Sequence, residues 1–294
     1  MVDSLKSWGR WFESSSGRFF IIMKEQIYLI NLHNLLKTSL LNLGKENLAL
    51  AFSGGIDSSL LAKIMKNLGI NFTAYVTGLK DSHDLIHAEK SAKELKINLK
   101  KIIINKKEFE PAINQELSIL QNLYEKEKDE NLKPTPLRLS YNLPLFFLAK
   151  NIKEKFIILG QGPDEMFGGY EKHIKLKKDE AKQEMENNLK VLLSSGIKQN
   201  QATFSFFSKK ALFPYLTKEV IEFAENLPHE LKINNNTGKY ILRKLSLNLG
   251  LSKELTFKQK KAMQYGTDTR KMLVKIAKQH GLIVDKLIKR ILKI

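Results

Sequence analysis

Between residues 48 and 160 short, almost wholly apolar runs alternate with longer stretches whose apolar residues fall three and four apart. The short runs are Leu48–Phe52, Phe72–Val76, Leu99–Ile104 and Phe156–Leu159. Runs this short, without polar alternation, fit parallel strands covered on both faces. Helical spacing fills the intervals: from Ile56 to Leu68, where Gly69 stops the helix, then Ser82–Leu95, Glu108–Leu123 and Leu143–Lys153. Ser82 or Asp84 stands where an N-cap belongs. Upstream, Met23 to about Leu43 places Leu29, Leu32, Leu35, Leu36 and Leu40 on one helical side. Lys126–Lys133 reads as a charged surface linker, and beyond about Gly169 the pattern is helical to the end, with no internal repeat. The expected fold class is α/β: a parallel sheet with helices on both faces over residues 23–170, followed by a helical C-terminal lobe over 171–294.

Residues 1–22 differ from the rest, being rich in Trp, Ser, Gly and Arg where the remainder is rich in Lys, Asn and Ile. Trp11-Phe12-Glu13-Ser14 back-translates to a string that resembles the T-arm of a tRNA gene. We expect this segment to be upstream sequence, with Met23 as the true start, or else a disordered arm. Intact mass of the native protein decides between them.

Composition narrows the chemistry. The 294 residues carry 49 Lys+Arg against 31 Asp+Glu, a net charge of +18. The lysines are spread along the chain among acidic residues, as an AT-rich genome would produce, so charge alone argues weakly for nucleic acid. There is no cysteine, which removes disulfides, thiolate metal sites and thiol nucleophiles, and is compatible with a reducing cytoplasmic home. Apolar runs fall far short of the ~20 residues a membrane helix needs, and Trp8, Trp11 and Glu13 stand where a signal peptide would be apolar.

Two loops carry candidate chemistry. Ser53-Gly54-Gly55-Ile56-Asp57-Ser58-Ser59 joins the first strand to a helix. Its glycines permit unusual backbone angles and close approach of a ligand, while the helix start and the hydroxyls of Ser53, Ser58 and Ser59 offer donors to an anion. Asp57 would repel a phosphate unless a cation lay between, which points to Mg²⁺. The spacing is neither a Walker A loop nor G-x-G-x-x-G. The second loop, Gly160-Gln161-Gly162-Pro163-Asp164-Glu165-Met166-Phe167-Gly168-Gly169-Tyr170, follows the fourth strand at the edge where ligands bind in open α/β sheets. Pro163 suits a first helical turn, and Asp164 can provide a second oxygen ligand to a Mg²⁺ shared with Asp57.

The first loop resembles the S-G-G-x-D-S loop of ATP pyrophosphatases. The second resembles the G-E-G-x-D-E-x-F-G-G-Y signature of the synthetase domain of asparagine synthetases. The similarity runs from about Asn47 to Leu273 and includes Tyr75–Leu79 with Ser82 and Asp84, Phe213–Leu216, Lys239 with Leu242-Arg243, and Phe257–Lys261. This resemblance implies the adenine nucleotide alpha hydrolase-like (PP-loop) fold. It implies that Phe52, Thr77, Leu159 and Gly160 line the adenine end of an ATP site, with Asp57 and Asp164 holding Mg²⁺ on the pyrophosphate. Lys260 would neutralise charge on the phosphates, and Lys239 and Arg243 match a basic pair. The implied reaction is adenylation of a carboxylate, with release of pyrophosphate, and then displacement of AMP by an amine to give an amide; aspartate is the implied carboxylate, and ammonia the amine.

The sequence also departs from the family. It shows no counterpart of the glutaminase domain, which uses an N-terminal cysteine, so nitrogen is expected from free ammonia, a separate glutaminase subunit or a substrate amine. Gln161 stands where the family has a glutamate, and an amide cannot serve as a carboxylate base. Lys210, Leu212 and Thr217 replace the family's Glu-x-Arg ahead of Pro-Phe-Leu-Asp. Two other readings remain: a tRNA-modifying ATP pyrophosphatase, favoured by the basic charge but not by the second loop, and a non-catalytic nucleotide-binding homologue, favoured by Gln161 but not by retention of Asp57 and Asp164.

Overall fold

The computed structural model describes residues 23–44, 47–258 and 262–293. The expectation that Met23 is the start, which rests on residues 1–22, lies outside them. So does Lys260.

Five parallel strands form one sheet in the order β3-β2-β1-β4-β5. They are β1 (Leu48–Ala51), β2 (Phe72–Gly78), β3 (Leu99–Ile103), β4 (Phe156–Ile158) and β5 (Lys210–Leu212). Helix α1 spans 23–41. Between the strands run α2 (Ile56–Asn67), α3 (His83–Leu95), α4 (Lys106–Glu127) and α5 (Pro136–Asn151). Between β4 and β5 lie α6 (Pro163–Met166), α7 (Glu171–Lys175), α8 (Lys178–Val191) and α9 (Ile197–Phe206), and after β5 come α10 (Lys218–Glu225), α11 (His229–Lys232), α12 (Tyr240–Asn248), α13 (Lys253–Phe257), α14 (Met263–Gly266), α15 (Thr269–Gln279) and α16 (Val284–Leu292).

Alternation along the strands explains why both faces are covered. Leu48, Leu50 and Ile158 pack with Leu32, Leu36 and Leu60 of α1 and α2. Ala49 and Ile157, one residue out of step, pack with Leu145, Leu148 and Phe204 of α5 and α9. The C-terminal half serves both layers. Ile241, Leu242 and Leu255 join the first face, while Leu273, Ile276, Leu287 and Ile288 of α15 and α16 pack on Phe109, Ile113 and Phe146. Among the described residues no helix is long and apolar enough to cross a membrane.

Three details differ from the sequence reading. The region read as wholly helical contributes β5, whose three residues Lys-Ala-Leu are too few to show a period; β5 places Lys210 opposite Phe156 and Leu212 opposite Ile158. Helix α5 begins at Pro136, not near Leu143, because the Thr135 side chain accepts from the Arg138 N–H at 3.2 Å and Pro136 fills the first turn. The charged linker is shorter than Lys126–Lys133, since α4 runs to Glu127, and Leu132 within it is fully buried.

The chain turns from one side of β1 to the other between β3 and β4, so a crevice opens at the carboxyl ends of β1 and β4. Both motif loops leave the sheet there.

Candidate active site

The first loop is held by α3 behind it. Gly54 has φ +71, and a Cβ there would lie 2.8 Å from Ser91 Oγ and 3.0 Å from Ala88 Cα. Ser91 Oγ donates to the Gly54 carbonyl at 3.1 Å, and His87 Nδ1 lies 3.1 Å from the Ser53 carbonyl. Gly55, by contrast, is extended at φ −73 and stands at the N-cap of α2. Two of the three hydroxyls shape the loop: Ser58 Oγ donates to the Gly55 carbonyl at 3.2 Å, and Ser53 Oγ accepts from the Gly55 N–H at 3.4 Å. Ser59 is fully buried and does not reach the cleft. The donors left for an anion are the first-turn N–H groups of α2.

At the floor of the crevice the two loops meet through a cation. Lys239 Nζ lies 2.7 Å from Asp57 Oδ2 and 2.8 Å from Asp164 Oδ1. Burial alone would depress the Lys239 ammonium, but the two carboxylates overcome it and hold it above the ordinary lysine range. Asp57 Oδ1 is buried with no hydrogen-bond partner. The approach depends on small residues: a Cβ on Gly169 would lie 2.0 Å from Asp164 Oδ1 and 2.3 Å from Lys239 Cε, and one on Gly238 would lie 2.0 Å from the Gly168 carbonyl oxygen. Lys239 itself takes φ 54 and donates its N–H to the Phe167 carbonyl at 2.8 Å. The G-G of the second loop and the G-K of residues 238–239 are therefore one packed contact.

Arg243 does not join this floor. Its Nε donates to the Gly238 carbonyl at 2.9 Å, its Nη1 to the Thr256 carbonyl, and its guanidinium lies over the Phe257 ring. Burial lowers its pKa, opposed by Asp57 and Asp164. Its donors hold the segment carrying Lys239.

Above the floor lies a cleft of about 640 Å³, counted with the space open to solvent. Phe52, Thr77, Leu159 and Gly160 all line it, with Ser53, Asp57, Ser58 and Gln161. The Phe52 N–H is used by the Tyr75 carbonyl at 2.7 Å, and Thr77 Oγ1 donates to the Ile102 carbonyl at 3.2 Å. Gln161 Oε1 accepts from Asn200 Nδ2 at 2.6 Å.

The sequence reading assigns no site role to several residues found here. Asn200 belongs to a polar run on α9 and is buried. Asp84 lines the cleft and presses on Gly266, where a Cβ would lie 2.0 Å from its Oδ1. Tyr215 OH donates to the Asp57 carbonyl at 3.0 Å, with burial first and Asp57 second holding its phenol protonated. Glu165 accepts from Tyr170 OH at 2.5 Å; burial pushes its carboxyl up, with Asp164 adding to the effect. Asp84, Tyr215 and Glu165 lie in quoted motifs, and their roles could have been sought there.

No group of three or more His, Cys, Asp or Glu that could hold a metal occurs among the described residues. Asp57 and Asp164, with an unpartnered buried oxygen on Asp57, nonetheless fit a hard cation whose remaining ligands are phosphate oxygens and water.

The family model and the curated relatives agree on the family. A protein of Methanocaldococcus jannaschii named as a glutamine-hydrolysing asparagine synthetase is 26% identical over 277 residues, 81% of this chain and 49% of its own length. The nodule asparagine synthetase of Pisum sativum is 30% identical over 236 residues, 73% of this chain and 38% of its own length. The chain thus spans about half or less of the curated relatives it matches. Among solved structures, NMN synthetase from Francisella tularensis overlays with a TM-score of 0.44 at 15% identity, covering 90% of this chain and 84% of that one. The asparagine synthase family model matches residues 41–210 and 177–282, and the chain belongs to that family.

Proposed function

We propose that this chain uses ATP to activate a carboxylate as its adenylate and hands the acyl group to an amine, forming an amide. The names of its relatives, asparagine synthetases, favour asparagine as the amide and so aspartate as the carboxylate. The observation that carries this reading is the convergence of Asp57 and Asp164, borne on the loops after β1 and β4, beside the free N–H groups of the α2 N-terminus. That arrangement suits a bound polyphosphate: positive dipole and N–H donors for its oxygens, carboxylates for its counter-ion.

Phe52, Thr77, Leu159 and Gly160 would enclose the base, and the first-turn N–H groups of α2 would take the leaving pyrophosphate. Asp57 and Asp164 would hold Mg²⁺, which would neutralise phosphate charge as a Lewis acid. A carboxylate oxygen attacks the α-phosphorus, the bond to the bridging oxygen breaks, and pyrophosphate leaves with that electron pair. The amine then attacks the acyl carbon, AMP departs, and the nitrogen loses a proton. Gln161 lines the cleft where an acyl group would lie and contributes hydrogen bonds only. Lys260 is assigned to the phosphates by resemblance. Positioning and charge neutralisation supply most of the rate in such transfers.

Exchange of labelled pyrophosphate into ATP tests this reading. Aspartate-dependent exchange is the expected result. Exchange with other carboxylates but not aspartate would move the substrate while keeping the chemistry, and no exchange with any carboxylate would overturn the adenylation itself.

A further inference from the structure

We propose that Lys239 is a resident counter-cation that competes with divalent metal for Asp57 and Asp164, so that metal binds tightly only together with a polyphosphate. This rests on the reading that those carboxylates hold a divalent ion.

The geometry supplies each step. Asp57 and Asp164 come from separate loops and are drawn to one point at the floor of the crevice. Two carboxylates brought together, with Asp57 buried and Asp164 half-buried, repel unless a cation lies between them. Lys239 provides that cation at 2.7 and 2.8 Å, using Asp57 Oδ2 and Asp164 Oδ1. Its ammonium is not a mobile surface charge, because the side chain is 8% exposed and its Cε lies where a Cβ on Gly169 would collide. The backbone fixes it again at φ 54 through the Phe167 carbonyl.

A dication bridging the two carboxylates needs oxygens that the ammonium already engages, and it is repelled by that ammonium at close range. Asp57 Oδ1, buried and without a hydrogen-bond partner, gives such an ion one foothold. A polyphosphate changes the balance in two ways at once. It offers the ammonium other acceptors, and it brings the metal further oxygen ligands. Lys239 is thus a positioning residue: it keeps the two loops assembled and delays the metal until nucleotide arrives.

The test is Mn²⁺ binding, read from the paramagnetic resonance of the free ion, with and without inorganic pyrophosphate. Without pyrophosphate, Lys239→Met is expected to bind Mn²⁺ at least tenfold more tightly than the parent protein, and Lys239→Arg to bind as weakly as the parent. Pyrophosphate should tighten the parent at least tenfold and the Met variant much less. If Lys239→Met does not fold, Lys239→Gln keeps donors without the charge and carries the same expectation. Equal or weaker Mn²⁺ binding by the uncharged variants, with pyrophosphate still promoting binding to the parent, would overturn the competition and leave the metal site standing. Absence of Mn²⁺ binding in every protein, with or without pyrophosphate, would overturn both.

Discussion

Around Asp57, two carboxylates lie within hydrogen-bond distance of one ammonium. Around Gln161, a few residues along the same crevice, the polar groups are amides and hydroxyls. Asn200 donates to Gln161, its neighbour Gln199 takes hydrogen bonds from Tyr141 and Asn142, and Thr203 one turn on donates to Glu116 at 2.8 Å. Glu116 is fully buried and makes no ion pair among the described residues, and burial pushes its carboxyl up to about 8, opposed by the Thr203 hydrogen bond. One cluster keeps its charge by pairing; the other avoids charge by holding a proton. The paired cluster can exchange partners with an ionic ligand. The neutral one fixes orientation, since each member is set by its neighbours.

The largest expected effect breaks the charged side. Asp57→Asn removes one of the carboxylates facing Lys239, and pyrophosphate exchange should fall on the order of 10³-fold. Circular dichroism should remain that of the parent, because Asp164 still pairs the lysine. Unchanged turnover at saturating Mg²⁺ would remove Asp57 from any metal site. Gly169→Ala attacks the same cluster through volume alone. The new Cβ meets Asp164 Oδ1 and Lys239 Cε at once, so stability to urea should drop by about 2–3 kcal/mol. A neutral outcome would mean that the two loops can part without loss.

The neutral side is tested by pH. Glu116 in the unfolded chain titrates near the ordinary glutamate value, and in the folded protein near 8. Between these values the folded state holds the extra proton, so folding stability from this group is full below the lower value and falls as pH rises through the window. Glu116→Gln keeps an acceptor for Thr203 and has no proton to lose. At pH 8 it should be more stable than the parent by roughly 4 kcal/mol, and at pH 4 the difference should vanish. Thermal melts across that range check both ends; a constant offset would mean that Glu116 is not a titrating group in the fold.

The two clusters were also unequally legible. Asp57 and Asp164 stand in glycine-bearing loops after apolar strands, and the strands themselves are short and uniformly apolar, so the sheet, the crevice and the nucleotide end follow from local pattern. Lys239 is visible only through its resemblance-based pairing with Leu242-Arg243, and its meaning depends on Gly168 and Gly169, far away in sequence. The neutral cluster has no local signal. Glu116, Gln199, Asn200 and Thr203 look like the polar sides of amphipathic helices, and only the packing of α4 and α5 against α9 turns those sides inward. β5 escaped for a related reason: Lys210–Leu212 is strand because β4 offers an open edge, not because three residues prefer it.

Gln161→Glu is the smallest change and joins the two sides, since it places a carboxylate at the one member of the neutral cluster that lines the cleft. The fold should accept it: Asn200 Nδ2 donates to the side-chain oxygen at 2.6 Å in the parent, and the same donor suits a carboxylate better, because a charged acceptor strengthens the bond. Chemically the change supplies an acceptor and a base where the amide supplies neither. If the acyl pocket otherwise suits aspartate, aspartate-dependent pyrophosphate exchange or amide formation should rise about tenfold, a difference of ~1.4 kcal/mol in the barrier. If the rate does not change while Tm stays within a degree or two of the parent, the pocket departs from aspartate at other positions as well. Lys210, Leu212 and Thr217, on and just after the edge strand beside β4, are then the next residues to exchange.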